Sequence, residues 1–360
     1  MNRVYNFNAG PAALPEEVLQ KAANSLVNYN GLGLSVMEMS HRSHDFETIL
    51  EDAQNRLRDL AQIPENYRIL FLQGGGCQQF AAVPMNLMST GKAAYVISGT
   101  WSKKAAQEAK MYGEVYTLAS GEDQNFSCLP SCEGLAVPED ASYIYLCQNE
   151  TIHGIEYRTL PVFDSAAPLV VDASSCFLSE PMEVAKCGLM YAGAQKNVGP
   201  AGVVIVIIRE DLIREDVWPG TPTVMRYSIQ AKNNSLYNTP PCWSIYMCGL
   251  VFEWIQQNGG LKGMQARNEA KAQMLYDFLD KSSLFKPKAK PGSRSIMNVT
   301  FSCGSPELDA EFVALTQERG FVGIKGHRSV GGMRASTYNA VPLEAVEALV
   351  SLMQEFENNR

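Results

Sequence analysis

"CGLMYAGAQKNVGPAGVVIVIIRE", residues 187–210, decides the fold. GLMYAG (188–193) and VVIVII (203–208) are short apolar runs bounded by Gly and Pro, the pattern of buried strands. Between them stands one cation, Lys196, among Gly193, Ala194, Gly199, Pro200 and Gly202. A solvated loop lysine is the commonplace reading. Two features argue otherwise. Lys196 follows a buried strand by a few residues, where α/β folds place ligands, and its small neighbours leave room for one. An enclosed lysine loses its proton more readily and becomes a nucleophile toward carbonyls.

Further strands follow outward from this stretch. RILFL (68–72), AAYVIS (93–98), SYIYLCQ (142–148) and APLVVDAS (167–174) have the same character. QQFAAVPMNLMS and WSKKAAQEAKMYG read as helices between them. Strands alternating with helices predict a mostly parallel sheet covered on both faces, with functional loops at the strands' C-terminal ends. Beyond about residue 240 the pattern changes. CWSIYMCGLVFEWIQQNGG reads as a helix closed by Gly, and LKGMQARNEAKAQMLYDFLDKS as a long amphipathic helix. A strand SIMNVTFS, a helix SPELDAEFVALTQERG, a Gly/Arg-rich stretch and a last helix PLEAVEALVSLMQEFENN complete a smaller α+β unit.

Bulk composition narrows the function. A chain of 360 residues with net charge −8 disfavours nonspecific binding to nucleic acid or anionic membranes, while leaving room for local anion sites. The longest apolar run, AGVVIVII, is far too short to span a bilayer, and the N-terminus lacks the apolar core of a signal peptide. Nine cysteines, an odd and scattered set, suit a reducing, cytoplasmic setting; CLPSC (128–132) reads as a loop with two free thiols. No metal-binding or GxSxG motif is present.

Other chemistry-bearing residues fall at strand ends. Asp172 closes LVVD; it is either a helix cap or a fixed anion that holds a proton on a ligand nitrogen. LQGGGCQQF (72–80) is either a tight turn or a phosphate cradle at a helix N-terminus. Trp101 in SGTW is either core or a stacking platform for a flat ligand. Two His-Arg pairs, His41-Arg42 and His327-Arg328, with Arg334 nearby, form candidate sites for anionic oxygens. Surface charge is the alternative there.

Longer strings carry a resemblance. FNAGPAALPEEVL, GLGLSVMEMSHRS, FLQGGGCQQFAAVPMNL, CQNETIHG, YAGAQKNVGPAG, NTPPCWSIYMCGLVFEW and KGHRSVGGMRASTYNA resemble, in colinear order, the phosphoserine aminotransferase family, class V enzymes of the fold-type I pyridoxal-phosphate group. The resemblance implies a large α/β domain (16–258) holding pyridoxal 5'-phosphate, a small α+β domain (259–360), and an N-terminal segment (1–15) packed on the latter. It implies that Lys196 bonds the cofactor, Asp172 pairs with its ring nitrogen, Trp101 stacks on the ring and Thr151 meets the ring hydroxyl. Gly76, Cys77 and Gln195 would hold the cofactor phosphate, joined by Asn238 and Thr239 from the second subunit of a homodimer. His41, Arg42, His327 and Arg328 would bind the substrate phosphate or the distal carboxylate of glutamate, and Arg334 the α-carboxylate. The implied reaction converts L-glutamate and 3-phosphooxypyruvate to 2-oxoglutarate and O-phospho-L-serine. In bacterial relatives 4-phosphohydroxy-L-threonine, on the route to pyridoxine, is a second implied substrate.

Ala9, Cys77 and His153 depart from residues that relatives carry, and His153 receives no role. Two rivals stand beside this reading: another class V enzyme, such as a cysteine desulfurase or a different transaminase, and a noncatalytic phosphate-binding protein built on GGGCQQF.

Overall fold

Six apolar runs read from the sequence, with one further strand, form the central sheet. The computed structural model describes residues 3–360. In chain order the elements are β1 (Tyr5–Asn6), α1 (Glu16–Asn24), α2 (His44–Ala61), β2 (Tyr67–Gln73), α3 (Gly76–Leu87), β3 (Lys92–Ile97), α4 (Thr100–Ala109), β4 (Glu114–Ser120), β5 (Ile144–Cys147), β6 (Asn149–Glu150), β7 (Ile155–Glu156), β8 (Leu169–Asp172), β9 (Leu189–Gly193), β10 (Val203–Arg209), α5 (Tyr227–Lys232), α6 (Cys242–Gln257), α7 (Gly260–Lys281), β11 (Lys286–Pro287), β12 (Asn298–Ser302), α8 (Pro306–Glu318), β13 (Phe321–Val322), β14 (Met333–Ser336) and α9 (Leu343–Asn358).

The seven-stranded order is β2-β10-β9-β8-β5-β3-β4. All pairs are parallel except those of β10, which runs antiparallel to both β9 and β2. Alternation along β10 explains its unbroken β-branched run. Val204, Val206 and Ile208 enter one core, and Val203, Ile205 and Ile207 the other. Helices cover both faces, so both sets of side chains leave water. The largely apolar α6 packs against α2, whose N-cap Ser43 accepts from Phe46 N at 3.3 Å.

The C-terminal part carries the three-stranded sheet β11-β12-β14, with α7 and α9 packed together beside it. β1 pairs in parallel with β13, which ties the first described residues to this part. β4 and the helices α1, α2 and α5 were not among the segments read from the sequence. Cys128 and Cys132 are free thiols, as are the other seven cysteines. Among the described residues no helix is long and apolar enough to cross a membrane.

Candidate active site

Strands β2, β3, β5, β8 and β9 all point their C-terminal ends toward one edge of the sheet. The segments leaving them deliver Gly76, Trp101, Thr151, Asp172 and Lys196 to one cavity of about 420 Å³. Cys77, Gln195, His327 and Arg334 line the same cavity. Thus nine of the residues singled out in the sequence, drawn from five strand ends and two later segments, share one space.

Lys196 Nζ donates to Thr151 Oγ1 at 2.7 Å and lies 5.5 Å from the centre of the Trp101 ring. Burial lowers the Lys196 pKa, opposed by the pull of Asp172 and other acidic groups, and Arg334 lowers it further. The amine therefore gives up its proton more easily than a solvated lysine. Asp172 is buried. Its Oδ1 accepts from Ser174 N at 2.9 Å and its Oδ2 from the Tyr191 hydroxyl at 3.1 Å. The Tyr191 hydroxyl in turn pairs with that of Tyr145 at 2.7 Å. A carboxylate here has fixed donors but no fixed cation among the described residues, so a protonated ring nitrogen is a chemically suitable partner.

The cavity fits a flat phosphorylated aromatic. Two N–H donors, Trp101 Nε1 and Arg334 Nε, are buried without a partner among the described residues and are free to meet acceptor atoms of a ligand. The first turn of α3 begins at Gly76 behind N-cap Gly75, which offers no capping side chain, so its first N–H groups are free for an anion. A side chain at position 76 would press on Ser174 Oγ at 3.0 Å and fill this cradle. Cys77 and Cys147 line the cavity; Cys147 is buried and its thiol is pushed up by that burial, while Cys77 is the more exposed of the two and is raised by the partial desolvation of the cavity wall and by the nearby Asp172 charge. Neither is an activated thiolate.

Arg334 donates from Nη1 to Thr151 O at 3.0 Å, which points its guanidinium into the cavity. His327 pairs with Ser329 Oγ at 2.7 Å, and burial followed by Arg334, Lys104 and Arg328 lowers its pKa. Arg328 lines a different cleft, beside the start of α8. His41 and Arg42 stand away from the cavity; His41 is buried, its Nε2 has no partner among the described residues, and burial and Arg42 lower its pKa. Asn238 lines a small separate pocket with Gln73 and Gln78, and the Thr239 carbonyl accepts from Gln73 Nε2. The single chain therefore does not bring these five to the cavity. Another crevice, of about 940 Å³ between the N-terminal segment, α7 and the start of α9, holds none of the residues singled out.

His153 faces Thr100 Oγ1 at 2.9 Å and the Phe126 ring, and burial brings it down to about 4, so it is neutral near pH 7. Tyr191, Tyr145 and Ser174 were missed in the sequence. One signal was available: a buried tyrosine hydroxyl needs a partner. β8 and β9 place Asp172 beside Tyr191 in register.

The family described as aminotransferase class-V matches residues 4–349 of this chain. A phosphoserine aminotransferase of Bacillus cereus is 51% identical over 358 residues, 99% of each chain. A solved phosphoserine aminotransferase from Bacillus circulans subsp. alkalophilus superposes with a TM-score of 0.97 at 48% identity, covering 99% of both chains. A pyridoxal-phosphate-bound phosphoserine aminotransferase from Trichomonas vaginalis gives 0.94 at 43% identity over 98% of this chain and all of that one.

Proposed function

The chain belongs to the class-V aminotransferase family, and we propose on that premise that it transfers the amino group of L-glutamate to 3-phosphooxypyruvate, yielding 2-oxoglutarate and O-phospho-L-serine for serine biosynthesis. It is a pyridoxal-phosphate-dependent aminotransferase. The observation that carries the reading is the convergence of Lys196, Thr151, Asp172 and Trp101 on one cavity.

When bound, pyridoxal phosphate supplies a carbonyl that accepts the amino group and a ring that takes up electrons from the substrate α-carbon. The protein supplies the rest. Lys196 is the residue to hold the cofactor covalently and, as a free amine, to carry the proton to and from the α-carbon. Burial lowers its pKa, so the amine is released from its proton more readily than a solvated lysine. Asp172 holds a proton on the ring nitrogen, its carboxylate fixed by Ser174 and Tyr191. Trp101 would support the ring, and Thr151 would pair with its hydroxyl. The backbone N–H groups of Gly76 and Cys77 and the Gln195 amide N–H would hold the phosphate. Arg334 offers a planar fork for the α-carboxylate.

The distal anion of each substrate falls to His41, Arg42, His327 and Arg328, and the cofactor phosphate gains Asn238 and Thr239. Most of these residues stand outside the single-chain cavity, which supports a homodimer whose second subunit completes each site. Exposed apolar side chains at Val27 and Met37, 80% and 58% accessible, precede His41-Arg42 and fit such an interface. A cytoplasmic location agrees with the free cysteines.

The desulfurase alternative needs a nucleophilic cysteine, and the two thiols that line the cavity, Cys77 and Cys147, are both shifted toward the protonated form. The test is a steady-state assay of purified protein with pyridoxal phosphate, O-phospho-L-serine and 2-oxoglutarate, with 4-phosphohydroxy-L-threonine and phosphate-free donors alongside. Turnover of phosphate-free donors only would replace this reading with a different transaminase. Absence of a visible band from bound cofactor would support a noncatalytic phosphate-binding protein.

A further inference from the structure

Glu150 is a wholly buried carboxylate that makes no salt bridge among the described residues, although it is near enough to Lys196 to pull on that amine. Both its oxygens are engaged by the start of α4. Oε2 accepts from Trp101 N at 3.0 Å, and Oε1 accepts from Ser102 N at 2.8 Å and from Ser102 Oγ at 2.7 Å. These are among the N–H groups that a helix leaves unpaired in its first turn. Ordinarily the N-cap side chain serves them, but here the N-cap is Gly99. A Cβ at Gly99 would lie 2.4 Å from Glu150 Cδ, so the carboxylate fills the space that a local cap would need. A cap delivered from a distant strand has replaced the one that sequence neighbours usually provide.

The two ends of this contact both face the cofactor cavity. One is Trp101. The other is Thr151, the next residue after Glu150, whose hydroxyl accepts from Lys196 and whose carbonyl accepts from Arg334. We infer that Glu150 is a positioning residue: by capping α4 from strand β6 it locks Trp101 and Thr151 into one rigid unit against the cofactor ring. The inference rests on the aminotransferase reading, since it assigns Trp101 to that ring. Burial raises the Glu150 carboxyl above its usual range, and the Ser102 and Trp101 N–H groups with the Ser102 hydroxyl oppose this.

Glu150→Gln keeps the volume but turns a donor toward the α4 N–H groups. Ser102→Ala removes one of the three bonds and guards against a Glu150 variant that does not fold. Each is measured for pyridoxal phosphate affinity and for the circular dichroism of the bound cofactor's visible band, with and without Trp101→Ala. The expected result is roughly tenfold weaker cofactor binding and loss of at least about half the dichroic band in Glu150→Gln, with a smaller loss in Ser102→Ala. In the Trp101→Ala background the Glu150 effect should fall to within about twofold, because residues acting through one contact are not additive. Cofactor binding and dichroism unchanged in both variants, or an equal Glu150 effect with and without Trp101, overturns the inference. A wild-type protein that binds no pyridoxal phosphate overturns the aminotransferase reading itself, and this inference with it.

Discussion

Lys196 Nζ donates to Thr151 Oγ1 across 2.7 Å, joining the segment after β9 to the turn between β6 and β7. The contact holds a lysine whose pKa burial has lowered in reach of the Trp101 face. Lys196→Ala should therefore lose both the covalent attachment and the proton carrier, with kcat down by at least ~1000-fold. Lys196→Arg should fare no better, since a guanidinium stays charged and cannot bond the carbonyl. Single-turnover absorbance on the two variants checks this; full activity in either would sink the assignment.

Arg334 reaches the same turn, donating to Thr151 O at 3.0 Å while its Nε lacks a partner among the described residues. An α-carboxylate shared by all the substrates would satisfy that fork. Arg334→Leu should lower kcat/KM for L-glutamate and for O-phospho-L-serine alike, by about 100-fold, the loss of one bidentate charge-assisted pair. Arg334→Lys should recover only part. By contrast Arg328→Leu should weaken O-phospho-L-serine far more than a phosphate-free donor. Equal losses for both donors would remove Arg328 from phosphate recognition.

Much of this was legible from residue patterns. The β-branched run 203–208 reads as a buried strand, and Asp172, Trp101 and Lys196 stand at or just past the ends of such runs, where a helix cap, a core tryptophan and a solvated lysine are the competing readings. Glu114–Ser120 was not legible, because this edge strand is half exposed and lacks an apolar run. The antiparallel direction of β10 was missed although a clue was present. Residues 194–202 between β9 and β10 form a connection too short for a parallel crossover, which needs about a dozen residues or more. Glu150 could not be found locally, since its partners at 101 and 102 are distant in the chain. The positions of His41, Arg42, Asn238 and Thr239 away from the cavity follow from geometry that one chain's sequence does not encode directly.

Gly10 offers a test of how tightly Lys196 is seated. Its φ of +140° lies where side chains are disfavoured, and a Cβ there would stand 3.2 Å from Lys196 Cγ. The chain around it is pinned on both sides. Tyr338 OH donates to Ala9 O at 2.9 Å, and Ala12 N donates to Gln195 O at 2.9 Å. Gly10→Ala should cost about 1–3 kcal/mol in stability through backbone strain. It should also displace the lysine stem, lowering kcat about tenfold, because a small misplacement of a reacting group is expensive. Thermal melts and steady-state kinetics on one preparation separate the two effects; wild-type kcat with lowered Tm would show that Lys196 tolerates the added methyl.

Glu156 provides a pH-dependent test remote from the chemistry. It is buried, its Oε2 accepts from Ile296 N at 3.0 Å and Ser295 Oγ at 3.1 Å, and its Oε1 has no partner among the described residues. Burial, with a push from Glu180, raises it from 4.5 to about 7, against the pull of Ile296 N–H and Arg158. Between those two values the folded protein binds more protons than the unfolded chain, so stability must fall as pH rises through this window. The contribution is at most about 3.5 kcal/mol, one pKa unit being about 1.4 kcal/mol. Glu156→Gln keeps the volume and an acceptor for Ile296 N–H while removing the titration. His153, brought down to about 4, acts oppositely below its ordinary 6.5 and is present in both proteins. The difference between wild type and variant therefore isolates Glu156. The Tm of Glu156→Gln relative to wild type should climb from pH 5 to pH 8 by roughly 3–6 °C. A difference that stays constant across that range would mean Glu156 is ionised throughout in the folded protein.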